Sequence, residues 1–246
     1  VDSDGEIFDF YNGQEDLKKG NVIFIGEPSE RIKEDYLRIL RYFRFLALFE
    51  KSDIDFDLQK VFTANHAHLA NISNERKWYE FKEILKLKTP YNSLHMMESV
   101  GILKTHFEGA LLDGNFKNLI EIESRIGAVP NPIIRLSTLI GSSLEKTNHF
   151  INAFPLSKAD SAELLKLSSL NKKIVSYLSM KEVRYLLYKL GKSEFQNQII
   201  INWSRDTQNK NEVNWRSLYE VANNWTKPNF EISSKDVINM GIEPGP

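Results

Sequence analysis

The stretch Arg31-Ile32-Lys33-Glu34-Asp35-Tyr36-Leu37-Arg38-Ile39-Leu40-Arg41-Tyr42-Phe43-Arg44-Phe45 carries the clearest helical period in the chain. At about 100° per residue, Tyr36, Ile39, Leu40, Phe43 and Ala47 fall on one face. Arg31, Glu34, Asp35, Arg38 and Arg41 take the opposite arc, with Arg44 at its edge. The period predicts one helix over 31–49, started by Ser29 or Pro28. Read from spacing alone, the polar arc is a solvated face. Glu34 and Arg38 form an i,i+4 pair and Asp35 and Arg38 an i,i+3 pair, each worth about 0.2–0.5 kcal/mol.

The helical period continues downstream. It predicts helices over 56–69, 74–87, 93–103, 115–126, 132–142, 145–154, 158–167, 172–178, 180–191, 193–204 and 215–223, with a short one around 234–240. Asn74 or Ser73 caps the helix at 74–87, and Pro90 stops it. Upstream the pattern changes. Glu6 to Phe10 and Asn21 to Ile25 read as two short strands, separated by an Asn12-Gly13 turn and a short helix from Gln14 to Lys19. Two short strands cannot hold a sheet alone. The expected fold is therefore mainly α: the C-terminal end of an α/β region, then about a dozen helices. The expected organisation is a head remnant over 1–28, a neck with the arginine-rich helix over 29–90, a helical body over 91–226 and a tail over 227–246.

Composition narrows the function. With 32 Lys and Arg against 33 Asp and Glu, the formal net charge is -1. Nucleic acid would therefore have to be held by local basic stripes rather than by a global field. No apolar run approaches the roughly 20 residues that cross a bilayer, so no membrane partner is expected. There is no cysteine, which removes disulfides and thiolate metal sites. No signal or transit peptide is recognisable, and a cytoplasmic setting is the expectation.

The string R-I-x-E-D-x-L-R-I-L-R-x-x-R-F closely resembles the nucleobase-selecting motif of class II CCA-adding tRNA nucleotidyltransferases and of bacterial poly(A) polymerases. The flanks are similar in order and spacing: Asp4-Gly5 through Asp9, Gly13-Gln14-Glu15-Asp16-Leu17, Ile25-Gly26-Glu27-Pro28, Asn74-Glu75-Arg76 with Glu80, and Ser234 to Val237 with Gly241 to Pro246. The resemblance implies that Asp35 and Arg38 serve as a protein template for CTP and ATP during 3′-CCA addition to tRNA. It implies that Arg41 and Arg44 reach phosphate or ribose, and that Glu34 and Arg31 orient the template. The hydrogen-bonding logic agrees. A carboxylate accepts from an exocyclic amine and a guanidinium donates to the neighbouring ring atom, which admits C and A and rejects U and G.

The resemblance also implies two Mg²⁺ ions held by a D-x-D pair. Asp2-Ser3-Asp4 is one such string, but no Gly-Ser phosphate loop precedes it and Asp4-Gly5 is turn chemistry. No catalytic or metal-binding carboxylate is therefore assigned. An N-terminal catalytic half is expected as the partner that supplies them. The five histidines make no ligand set; His66 and His68 read as core or surface residues, and His149-Phe150 lacks the Asp of a phosphohydrolase pair. Trp78, Tyr79, Phe81, Tyr185, Tyr188 and Trp203 read as helix-packing residues. Lys82, Lys86 and Lys88 fit either an RNA backbone or a solvated face. Two further functions stay open: a poly(A) polymerase, and an RNA-binding protein without catalysis.

Overall fold

Among the described residues after position 28, most segments whose apolar residues recur at helical spacing fold as helices. The computed structural model describes residues 5, 7–49, 54–141, 143–169, 174–206, 211–228 and 238–241. Among these, α1 (Gly13–Lys19), α2 (Pro28–Glu34), α3 (Leu37–Leu48) and α4 (Phe56–Asn65) come first, and α4 runs into a 3₁₀ turn at His66–Asn71. Next are α5 (Asn74–Lys86), α6 (Tyr91–Ser99), α7 (Ile102–His106), α8 (Gly114–Ile126) and α9 (Pro132–Ile140). The series closes with α10 (Leu144–Ala153), α11 (Lys158–Ser169), α12 (Met180–Leu190), α13 (Lys192–Arg205) and α14 (Glu212–Asn223). No helix among the described residues is long and apolar enough to cross a membrane.

α9 is the centre of the packing. Every residue from Ile133 to Ile140 is buried, the pattern of a helix enclosed on all sides. It touches α5, α8, α10, α11 and α13, while α3 lies against α5 and α6, and α13 against α8, α12 and α14. The ends are closed chemically. The Asn131 side chain accepts from the Ile133 N–H, with Pro132 in the first turn. Asp113 accepts from Phe116 at the start of α8, and Ser179 and Glu182 form a capping box on α12.

Inside this helix sits a cation. Arg135 is 1% exposed and donates from Nε and Nη2 to Glu123 Oε2 on α8, at 2.9 and 2.6 Å. Its Nη1 donates to the carbonyls of Leu85 and Leu87 at the end of α5. Burial raises the Glu123 carboxyl above its usual range, against the pull of the Arg135 charge.

Four sequence expectations need correction. Among the described residues, neither Glu6–Phe10 nor Asn21–Ile25 is a strand. Asp9 instead accepts from the Gly13 and Gln14 N–H groups at 2.7 and 2.8 Å, so its segment caps α1. In the second segment the alternation is present without a ladder. Val22 and Phe24 pack inward, and the Phe24 ring stacks on Tyr42 at 5.6 Å and approaches Phe62 at 6.3 Å. The segment lies on helices instead of pairing with a neighbour.

The helix expected at 93–103 divides at Gly101, whose φ of 85° suits only glycine, and where a Cβ would meet His66 Cε1 at 3.4 Å. The helix expected at 172–178 is absent from its described part: Ile174 to Leu178 forms a turn so that Ser179 can extend and cap α12. The long helix at 31–49 is broken, as described below. Asp2-Ser3-Asp4 and most of the 234–240 helix lie outside the described residues.

Two outcomes test this core. Arg135→Met should cost about 3–5 kcal/mol in urea denaturation because it strands a buried carboxylate. Adding Glu123→Leu should recover part of that loss. His106, buried against His66 and Lys77, has its pKa lowered to about 4, chiefly by desolvation and then by the Lys77 and His66 charges. The unfolded chain takes up this proton near its unperturbed value of about 6.5. Stability contributed by neutral His106 is therefore present above that pH and is lost as pH falls towards 4. The slope should be about 1.4 kcal/mol per pH unit. Denaturant melts between pH 7 and 4 should show this slope reduced in His106→Gln.

Candidate functional site

The arginine-rich segment over 31–49 is two helices instead of one. Asp35 leaves the helical region, with φ -156° and ψ 105°, and separates α2 from α3. Its Oδ1 accepts from the Leu37 N–H at 3.1 Å and its carbonyl from the Arg38 N–H at 3.0 Å. This is an Asx turn that starts α3. Glu, Asp and Tyr are all tolerated inside helices, so periodicity cannot announce the break.

The break sets out the side chains. Glu34 ends α2 and takes two guanidinium groups: Arg31 Nη1 at 2.7 Å and Arg38 Nη1 at 2.5 Å. The hydrogen bond from Arg38, helped by the Arg31 charge, holds the Glu34 carboxyl below its ordinary range. Arg38 Nη1 also donates to the Arg31 carbonyl at 2.7 Å, so the last turn of α2 and the first of α3 are clamped. Among the described residues, the other nitrogens of Arg38 have no partner. Asp35 Oδ2 is occupied by Arg76 Nη2 of α5 at 2.9 Å.

Arg41 and Arg44 converge on one residue. Their Nε atoms lie 3.2 Å from Glu80 Oε1 and Oε2 respectively, and Glu80, on α5, is 2% exposed. The Arg41 contact is a hydrogen bond, and the Arg44 contact is a charge pairing without hydrogen-bond geometry. Ile39, Leu40, Phe43 and Ala47 of α3 are buried as expected, while half-buried Tyr36 stacks on His68 at 4.6 Å. The structure thus brings Arg31, Glu34, Asp35, Arg38, Arg41 and Arg44 onto one braced surface. Arg76 and Glu80 are the braces. Both lie about forty residues away, at a separation no local pattern reports.

Other sequence candidates resolve one by one. Among the described residues, no group of three or more His, Asp or Glu is arranged to hold a metal ion. Lys82 pairs with Asp160 at 2.5 Å and Lys86 with Glu83 at 2.6 Å, so Lys82 joins α5 to α11. Trp78, Phe81 and Trp203 are core, as read from the sequence. Tyr79, Tyr185 and Tyr188 are exposed, contrary to a packing role.

The chain as a whole resembles known proteins. Residues 53–111 match a family model described as the probable RNA and SrmB-binding site of polymerase A. The mitochondrial CCA tRNA nucleotidyltransferase 1 of Mus musculus is 28% identical over 98% of this chain and 55% of its own length. A CCA-adding enzyme of Bacillus licheniformis is 26% identical over 99% of this chain and 60% of its own. The chain thus spans little more than half the length of these curated relatives. Among solved structures, the Thermotoga maritima CCA-adding enzyme complexed with tRNA superposes with a TM-score of 0.60 at 20% identity. That match covers 97% of this chain and 59% of the other, and speaks for the fold.

The bracing role of Glu80 has a measurable consequence. Glu80→Gln keeps the volume but removes the charge that faces Arg41 and Arg44. The expected loss is about 1–3 kcal/mol by urea denaturation, with the helix content of the native state unchanged by circular dichroism.

Proposed function

We propose that this chain, which belongs to the CCA-adding enzyme family, selects CTP and ATP through Asp35 and Arg38 and holds tRNA on its helical body. The observation that carries the reading is the Asx turn at Asp35. It turns a carboxylate and a guanidinium out of adjoining helix ends, three residues apart, with Arg38 fixed through one nitrogen only.

The chemistry follows from that arrangement. The exocyclic amine of cytosine or adenine takes the place of Arg76 at Asp35 Oδ2, and the remaining Arg38 N–H groups donate to the adjacent ring atom. Uracil and guanine present a carbonyl to the carboxylate, which leaves polar groups unpaired. Glu34 and Arg31 hold the Arg38 fork in plane. Arg41 and Arg44 face Glu80 through Nε, so their outer nitrogens are directed to phosphate or ribose. Two Mg²⁺ ions would activate the RNA 3′-hydroxyl and stabilise the leaving pyrophosphate. The described residues do not fit them.

A second reading, poly(A) synthesis, is favoured by the polymerase A description of the matched family model. It keeps the template and changes the product. Labelled CTP offered against ATP to the complete enzyme separates the two, because CCA addition incorporates both nucleotides.

The test of the main reading is base selection. In the complete enzyme, Asp35→Ala should lower the CTP-over-UTP preference in kcat/KM by about 10–100-fold, while salt-dependent tRNA binding persists. An unchanged preference would sink the template assignment. Loss of tRNA binding alone would point to an RNA-holding surface without base selection.

A further inference from the structure

The outward face of α12 is at once aromatic and basic. Val183, Leu186 and Leu187 seat the helix in the core. At about 100° per residue, Lys181, Arg184, Tyr185, Tyr188 and Lys189 share the opposite arc. Tyr185 and Tyr188 are 53% and 61% exposed. Glu182, the acidic residue of this helix, accepts from Ser179 in the capping box, and the helix's cations Lys181, Arg184 and Lys189 outnumber it.

A second segment completes the surface. Lys192 Nζ donates to the carbonyl of Asn223 and ties the start of α13 to the end of α14. The chain leaving α14 then passes beside α12. Trp225, Thr226 and Pro228 form a cleft with Arg184, Tyr185 and Tyr188, and Lys227 Nζ sits 5.5 Å from the centre of the Tyr188 ring. Three aromatic rings are thus gathered with four cations from two separate parts of the chain. The surface lies outside the matched RNA-binding residues 53–111 and on a different element from Asp35.

We propose that this cleft binds an unstacked nucleobase of single-stranded or loop RNA. The base seats on Tyr185, Tyr188 and Trp225, and the flanking phosphates lie against Lys181, Arg184, Lys189 and Lys227. Aromatic faces stack any base, and cations beside them track the backbone, so the grip tolerates sequence. Charge complementarity selects this occupant. A chain of net charge -1 must hold a polyanion through local stripes, and a neutral proline-rich peptide would use the rings but not the cations. The proposal rests on the RNA-holding reading above and adds a site to it.

The test uses the full chain with its tRNA and with a single-stranded oligonucleotide carrying 2-aminopurine. The wild type should bind both, and the probe's fluorescence should be quenched as it stacks. Tyr185→Ala with Tyr188→Ala should weaken binding by at least about 10-fold and abolish the quenching. Tyr185→Phe with Tyr188→Phe should keep both, which separates a ring requirement from a hydroxyl. Lys181→Ala, Arg184→Ala and Lys189→Ala together should flatten the dependence of log Kd on log salt by about 2, at roughly 0.7 per phosphate. Thermal melts matched to wild type establish that these exposed substitutions leave the fold intact. Unchanged affinity and quenching in the double alanine variant, with wild-type tRNA binding present, overturn this site alone. Competition by a proline-rich peptide with an unaltered salt slope overturns it in favour of a protein ligand. Absence of RNA binding by the wild type overturns the underlying reading as well.

Discussion

Arg135 is the interaction on which the rest of the molecule depends. It lies in α9, a helix buried along its whole length from Ile133 to Ile140, and each of its three nitrogens has a partner on another element. Through Glu123 it holds α8. Through the carbonyls of Leu85 and Leu87 it takes up acceptors that the end of α5 would otherwise leave unpaired in the core. A buried cation is a costly way to join helices. What it secures is position, since a fork of fixed geometry allows little sliding of α5 against α9.

α5 then passes that position on. Its far end carries Trp78 and Phe81 into the aromatic core, and its other face presents Arg76 to Asp35 and Glu80 to Arg41 and Arg44. The arginine-rich surface is therefore referenced to the core through one helix. Arg31 and Arg38 each meet Glu34 through Nη1, and Arg41 and Arg44 each meet Glu80 through Nε. Sites that must bind a flat, polar base benefit from groups already oriented before the ligand arrives.

Much of this was legible in the chain. The apolar spacing of Ile39, Leu40, Phe43 and Ala47 marks the buried face of α3 correctly, and Ser73, one of the two caps the sequence offers for α5, accepts from the Arg76 N–H. The break at Asp35 was not legible, because an Asx turn competes with a helix turn by a single side-chain hydrogen bond that periodicity does not register. The pairing of Asp35 with Arg76 was hidden for a different reason, being set by tertiary packing. Val22 and Phe24 show a third kind of limit. Alternation reports which side chains face inward but not whether the surface they meet is a strand or a helix. Tyr185 and Tyr188 were misread because aromatic residues on a helix are usually core, and only the position of α12 at the edge of the packing exposes them.

The Asx turn has one more consequence, and it is mechanical. With Asp35 outside the helical ladder, α2 and α3 are two rods meeting at a joint, spanned on the outside by the Glu34–Arg38 pair and the Arg31 carbonyl. A pair of half-exposed charges weakens as ions accumulate around it. Added salt therefore loosens the outer strap, while Ile32, fully buried on α2, keeps that rod seated in the core.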